Sequence, residues 1–140
     1  MSLSRSRFYL VITGIILLAC ALRLAACLNT CVINQDGVLY IQQAMALYHR
    51  QLEGLTTSGL PYLSVYPLLI ALAYFFIGDW ITSAMAVSYI FGCAALYPVF
   101  LLMRRFFDKP VTALGLLFFA VMPAFVDISS MVIKEPVAVF

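Results

Sequence analysis

Residues 8–28 read FYLVITGIILLACALRLAACL, an apolar run broken by a single charge, Arg23. A stretch of about 20 such residues is the length at which a helix crosses a hydrocarbon layer ~30 Å thick. A secretory signal has a shorter apolar region of about 7–15 residues and a small-residue cleavage site. Ala25-Ala26-Cys27 faintly resembles such a site, but the length of the run and Arg23 inside it argue for a retained span. The rest of the chain agrees. Of 140 residues, 65% are hydrophobic and 10% charged, against about 45–50% and about 25% in soluble domains. A globular core of this size cannot hide that much apolar surface, so the expected class is an all-α, polytopic integral membrane protein.

Four uncharged stretches stand out: 8–22 (reaching 28 past Arg23), 60–78, 80–103 and 110–126. Basic residues in short loops stay cytoplasmic, so Arg5 and Arg7 place the N-terminus inside and residue 29 outside. The next cluster, Arg104-Arg105-Phe106-Phe107-Asp108-Lys109, falls inside only if 60–78 does not cross. Pro61 and Pro67 interrupt the start of that stretch, and only Asp79 separates it from Trp80. The expected spans are therefore about 8–28, 80–103 and 110–126. The outer loop 29–79 carries 60–78 as an interfacial or re-entrant segment, and a second outer loop runs over 127–135. Pro110 suits a first helical turn, where its missing N–H costs nothing. Residues 136–140 read as the opening of a further span, so the chain is expected to be the front portion of a longer protein.

Between Asn29 and Leu60, Val38, Ile41, Met45, Tyr48, Leu52 and Leu55 recur at steps of three and four. That is one apolar stripe on a helix, expected over about 37–53 and lying along the outer membrane face. The net charge of +2 is too small to suggest nucleic acid, and the basic residues sit at span ends. No phosphate-cradling glycine loop is present. Cys20, Cys27, Cys31 and Cys93 lack metal-ligand spacing. The first and last fall in apolar runs, where a thiol is a small hydrophobe. Cys27 and Cys31 are spaced one helical turn apart, which suits disulfide geometry poorly.

Few residues are left to carry chemistry, and each has two readings. Asp36 is either the N-cap of the surface helix, bonding the N–H of Val38 or Leu39, or an outward carboxylate available as a general base or metal ligand. Glu135, ahead of Pro136, either sits at the start of a helix, where the dipole favours a negative charge, or joins Asp36 on the outer face. Lys134 partly neutralises it or snorkels. Arg23 either snorkels to the nearby outer end or marks a site within the span. His49 and Arg50 on the surface helix face lipid phosphate.

The order of these features resembles a known family. A first span ending in Leu22-Arg23-Leu24 leads to the outer Asp36 and a helix with Tyr40 and Ala44. Then come Tyr66-Pro67-Leu68-Leu69-Ile70, a span ending in Arg104-Arg105, an outward span, and a loop closing in Glu135-Pro136. The whole chain resembles the N-terminal part of the GT-C polyprenyl-phosphate-sugar-dependent membrane glycosyltransferases, of the protein mannosyltransferase and aminoarabinose transferase-like kind. The resemblance implies sugar transfer, with inversion, from a polyprenyl-phosphate donor at the periplasmic or lumenal face of a membrane, in bacteria the inner one. It implies Asp36 as catalytic base, Glu135 as a second site acid, and His49, Arg50 and Lys134 as candidates for the donor phosphate. The family often carries a second acid directly after the first. Gly37 stands there instead, which puts the use of a divalent metal in doubt. A non-enzymatic multi-span protein, such as a transporter subunit or scaffold, is the alternative.

Overall fold

The computed structural model describes residues 5–29, 34–51, 64–135 and 137. Cys31, Leu52, Leu55, the start of the 60–78 stretch and residues 138–140 lie outside the described residues. Among those described, all regular structure is helical: α1 (Arg5–Asn29), α2 (Gln35–Tyr48), α3 (Val65–Ile77), α4 (Trp80–Ala94), α5 (Leu96–Phe106), α6 (Lys109–Val121) and α7 (Pro123–Ser130).

Ser6–Asn29 and Trp80–Phe106 are each long and apolar enough to cross a membrane. The second runs through α4 and α5 with a slight break at Ala95. Pro98 explains that break, since it offers no N–H to Ala94 and its ring crowds the same carbonyl. A third span exists if α6 and α7 are taken together, bent by 52°. Pro123 again sets the bend, because the ring of a proline drives the preceding residue out of the helical region. Met122 is accordingly extended, with φ −63° and ψ 119°. At 13 residues, α3 is about 20 Å long, well short of a ~30 Å hydrocarbon layer.

Side-chain contacts give the helix directions. Arg104 lies 5.8 Å from the Phe8 ring centre, and Phe100 meets the same ring. At the other end, Leu24 and Leu28 of α1 line one groove with Met85 and Tyr89 of α4. Thus α1 is antiparallel to α4 and α5, and the basic Arg104 end of the bundle is the N-terminal end of α1. A tight turn at Phe107, whose carbonyl accepts from Arg104 Nη1 and Thr112 Oγ1 (3.3 Å each), sends α6 back along α1. Phe8, Ile12, Ile15 and Ala19 of α1 then close on Ala113, Leu116 and Ala120 of α6.

A second core lies at the far end. The Tyr66 hydroxyl is 3.2 Å from the Ala84 carbonyl, to which it donates, and 2.8 Å from Ser88 Oγ. These contacts tie α3 antiparallel to α4. Tyr40 meets Tyr66, and Tyr48 meets Tyr74, the same number of residues on in each helix, so α2 and α3 run side by side in one direction. The expected surface helix is therefore a packed element, and it stops at Tyr48 instead of near 53. Its buried face is Gly37, Tyr40, Ile41, Gln43, Ala44 and Ala46. Val38 and Tyr48 of the expected stripe are each 44% exposed, because Tyr40 and the small residues form the contact with α3.

The α3–α4 turn needs only Gly78 and Asp79. Gly78 ends α3 in the left-handed region at φ 78°, which a residue without Cβ enters freely. Asp79 caps α4 by accepting from Thr82 N at 2.8 Å. Trp80 stacks on Tyr74 (3.7 Å between ring centres, 7° between planes), and Tyr48 meets both rings edge-on. Hydrogen bonds from Thr82, side chain and backbone, hold the fully exposed Asp79 carboxyl below the usual carboxylate range. A depressed folded value means a contribution present above the unfolded pKa of about 3.9 and lost as pH falls through the folded one. Thermal midpoints of wild type and Asp79→Ala are expected to differ at neutral pH and to converge in acid.

Candidate functional site

Both candidate acids lie near one aromatic contact. The N-cap of α2 is Asn34, with extended backbone (φ −73°, ψ 166°), whose Oδ1 accepts from Gly37 N at 2.8 Å. This corrects the capping reading of Asp36. A cap sits just outside the helix and reaches the N–H three residues on, whereas Asp36 already lies inside the first turn. Its carboxylate is exposed, at the positive end of the helix dipole. One turn further, Tyr40 is buried with its ring edge-on to Tyr66, 5.4 Å between centres. Glu135 lies near the Tyr66 member of the same pair. It is exposed and within electrostatic range of the Tyr66 hydroxyl, while Val132 and Val137 beside it pack into the Tyr40–Tyr66 core.

The expected phosphate ligands divide. Lys134, half-buried, stays next to Glu135. His49 and Arg50 instead form the C-terminal end of α2. Arg50 N donates to Leu47 O and Gln51 N to Ala46 O, with Arg50 left-handed at φ 57°. This is a Schellman turn with arginine where glycine is usual. At 1.5 Å per residue they stand roughly 20 Å from Asp36 along α2. Among the described residues, no three or more His, Cys, Asp or Glu side chains gather to hold a metal ion.

Arg23 does not snorkel. It is 1% exposed, deep between α1, α6 and α7. Nε donates to Ser129 Oγ (3.2 Å), and Nη1 donates to the carbonyls of Ala19 (3.2 Å) and Ala120 (3.3 Å). The Phe119 ring centre lies 5.9 Å from its guanidinium carbon. The break at Met122–Pro123 explains this choice. A helix end leaves carbonyls without intrahelical donors, and those of α6 form the negative end of its dipole. Arg23 serves that end from another helix. Ser129 is held in turn by donating to Phe125 O at 2.8 Å, and it fits because Gly92 of α4 faces it. A methyl added at Gly92 overlaps both the hydroxyl and the Cβ of Ser129. Gly92→Ala is therefore expected to push α7 off α4 at a cost of about 1–3 kcal/mol. Ser129→Gly in the same chain should recover part of that loss in thermal midpoint; independent, additive losses would contradict the contact.

The sequence signals for this arrangement were Arg23 inside a span and Pro123 inside another, but nothing local to either residue pairs them. Comparison with family models, curated proteins and solved structures gave no match.

Proposed function

We propose that this chain is a multi-pass membrane glycosyltransferase that takes a sugar from a polyprenyl-phosphate donor on the non-cytoplasmic side. The observation that carries the reading is that both acids lie near the Tyr40–Tyr66 pair, Asp36 one helical turn before Tyr40 and Glu135 within electrostatic range of Tyr66. The orientation is supported by Arg104 lying against Phe8, one residue from Arg7, so that both basic clusters share one end of the bundle. In this reading the exposed Asp36 carboxylate takes the proton of an acceptor hydroxyl, which is a poor nucleophile without a base. The hydroxyl attacks the anomeric carbon from the face opposite the lipid phosphate, which leaves carrying the bonding pair. Lys134, next to Glu135, is the cation available to stabilise that developing charge, a role that His49 and Arg50 are too distant to share.

Proteoliposomes holding the full-length protein and a labelled polyprenyl-phosphate sugar test the reaction. Release of polyprenyl phosphate with transfer of the label is the expected result. Cysteines placed singly at 36 and 135 in a cysteine-free background should react with an impermeant maleimide from the same side, and one at 104 from the other. Labelling of 36 and 135 from opposite sides would remove the shared site and favour a non-enzymatic membrane protein.

A further inference from the structure

Between α1 and α4 runs an apolar groove of about 400 Å³, lined by neither Asp36 nor Glu135. Leu24 and Leu28 form one wall, and Met85 and Ala86 the other. Cys27 also lines it, with its thiol donating to the Ser129 carbonyl at 3.7 Å. From Thr82 to Tyr89 the groove extends roughly 10 Å along α4, much of one leaflet of a ~30 Å hydrocarbon layer. Both walls belong to helices long and apolar enough to cross a membrane, and the exposure of Leu24 and Leu28 opens the groove to lipid. One end of it is charged. Thr82 donates from its backbone N–H to Asp79 Oδ2 at 2.8 Å and bonds the same carboxyl through its side chain. Asp79 is fully exposed, directly ahead of the Trp80–Phe106 span, and stays ionised at neutral pH. No cation among the described residues pairs with it. Trp80 beside it stacks on Tyr74, and such aromatics mark the headgroup level of a membrane.

We propose that this groove holds one acyl chain of a phosphatidylethanolamine whose ammonium group sits on the Asp79 carboxylate. The volume falls in the range of sites that hold small ligands, about 300–1,000 Å³, and the walls offer a hydrocarbon chain apolar contact along its length. Charge selects the headgroup. A primary ammonium carries three N–H donors and makes charge-assisted hydrogen bonds to a carboxylate. The quaternary ammonium of phosphatidylcholine has the charge but no N–H. Phosphatidylglycerol brings a net negative charge, which Asp79 repels. The same repulsion turns away polyprenyl phosphate, so the groove is a separate site from that of a sugar donor. The inference rests on the membrane-spanning helices and not on sugar transfer.

The full-length protein in detergent micelles is irradiated with a phosphatidylethanolamine that carries a diazirine in one acyl chain. Peptide mass mapping of the unmutated protein should place the label on residues 24–28 and 82–89. Unlabelled phosphatidylethanolamine should compete it away at about fivefold lower concentration than phosphatidylcholine or phosphatidylglycerol, the upper effect of one exposed ion pair. Asp79→Asn keeps the helix cap, because asparagine caps as well as aspartate. It should abolish the headgroup preference and leave the groove labelled. Ala86→Phe fills the groove and should remove the label there whatever the headgroup. Labelling of outward residues on other faces, such as Leu10 and Leu114, as dense as that of the groove would overturn the proposal. Equal competition by the three lipids, or a preference that survives Asp79→Asn, would overturn it too. Displacement by polyprenyl phosphate at equal concentration would make the groove part of a sugar donor's site instead.

Discussion

Replacing Arg23 with alanine is expected to cost about 2–5 kcal/mol of stability, the range for truncating a large buried side chain to alanine. Three donated hydrogen bonds disappear, to Ala19, Ala120 and Ser129. The Ala120 carbonyl, at the broken end of α6, is left buried with its donor gone. The long side chain also vacates a volume that is closed on all sides in the folded protein. Arg23→Met separates these effects, since it keeps most of the volume and loses only the donors. Arg23→Lys should fall between wild type and alanine, because an ammonium does not reproduce the fork of donors that spans Ser129 and Ala120. Thermal melts of detergent-solubilised protein, followed by far-ultraviolet circular dichroism, read all three variants. Wild-type melting of Arg23→Ala would mean that the guanidinium reaches water after all.

The second large effect is on activity. Asp36→Asn is expected to lower sugar transfer roughly 10²–10⁴-fold, the range for losing a positioned general base. The melting temperature should change little. Asp36 is exposed and Asn34 holds the cap, so the structural loss is limited to the charge–dipole interaction, under about 1 kcal/mol. Asn34→Ala is the converse control. It removes the bond to Gly37 N at a cost of about 1 kcal/mol and should spare transfer per folded molecule. If Asp36→Asn transfers normally, the base lies elsewhere. If it transfers poorly and also melts early, Asp36 contributes to structure.

The apolar runs announce the long helices almost to their ends, because length and hydropathy are local properties. Residues 8–28 lie within Arg5–Asn29, and 80–103 opens Trp80–Phe106. The bend inside 110–126 is legible too, since Pro123 drives the residue before it out of the helical region. What surrounds each polar residue was not legible. In Asn34-Gln35-Asp36 both ends are good caps, and only the entry angle of the chain selects Asn34. Periodicity marked a helix after residue 34 but turned its buried face, because α3 accepts Tyr40, Ala44 and Gly37 more closely than it accepts Val38. The fate of Arg23 depends on a carbonyl almost a hundred residues away, and snorkelling and burial look alike in sequence. Asp36 and Glu135 are legible in the sequence as candidate acids, and the Tyr40–Tyr66 contact near them is not, since aromatics near a span end equally suit an interfacial belt.

Trp80 is the chain's one tryptophan, and it lies flat against Tyr74 with Tyr48 edge-on. All indole emission from the molecule therefore originates at the joint where α2, α3 and α4 meet. Two phenols within a few ångströms pass excitation energy to that ring, and the stacked face is shielded from water. The protein thus carries its own optical gauge of whether the α2–α3 layer is seated on α4. Lifting that layer shifts the emission to the red, while events confined to the Arg104 end leave the spectrum still.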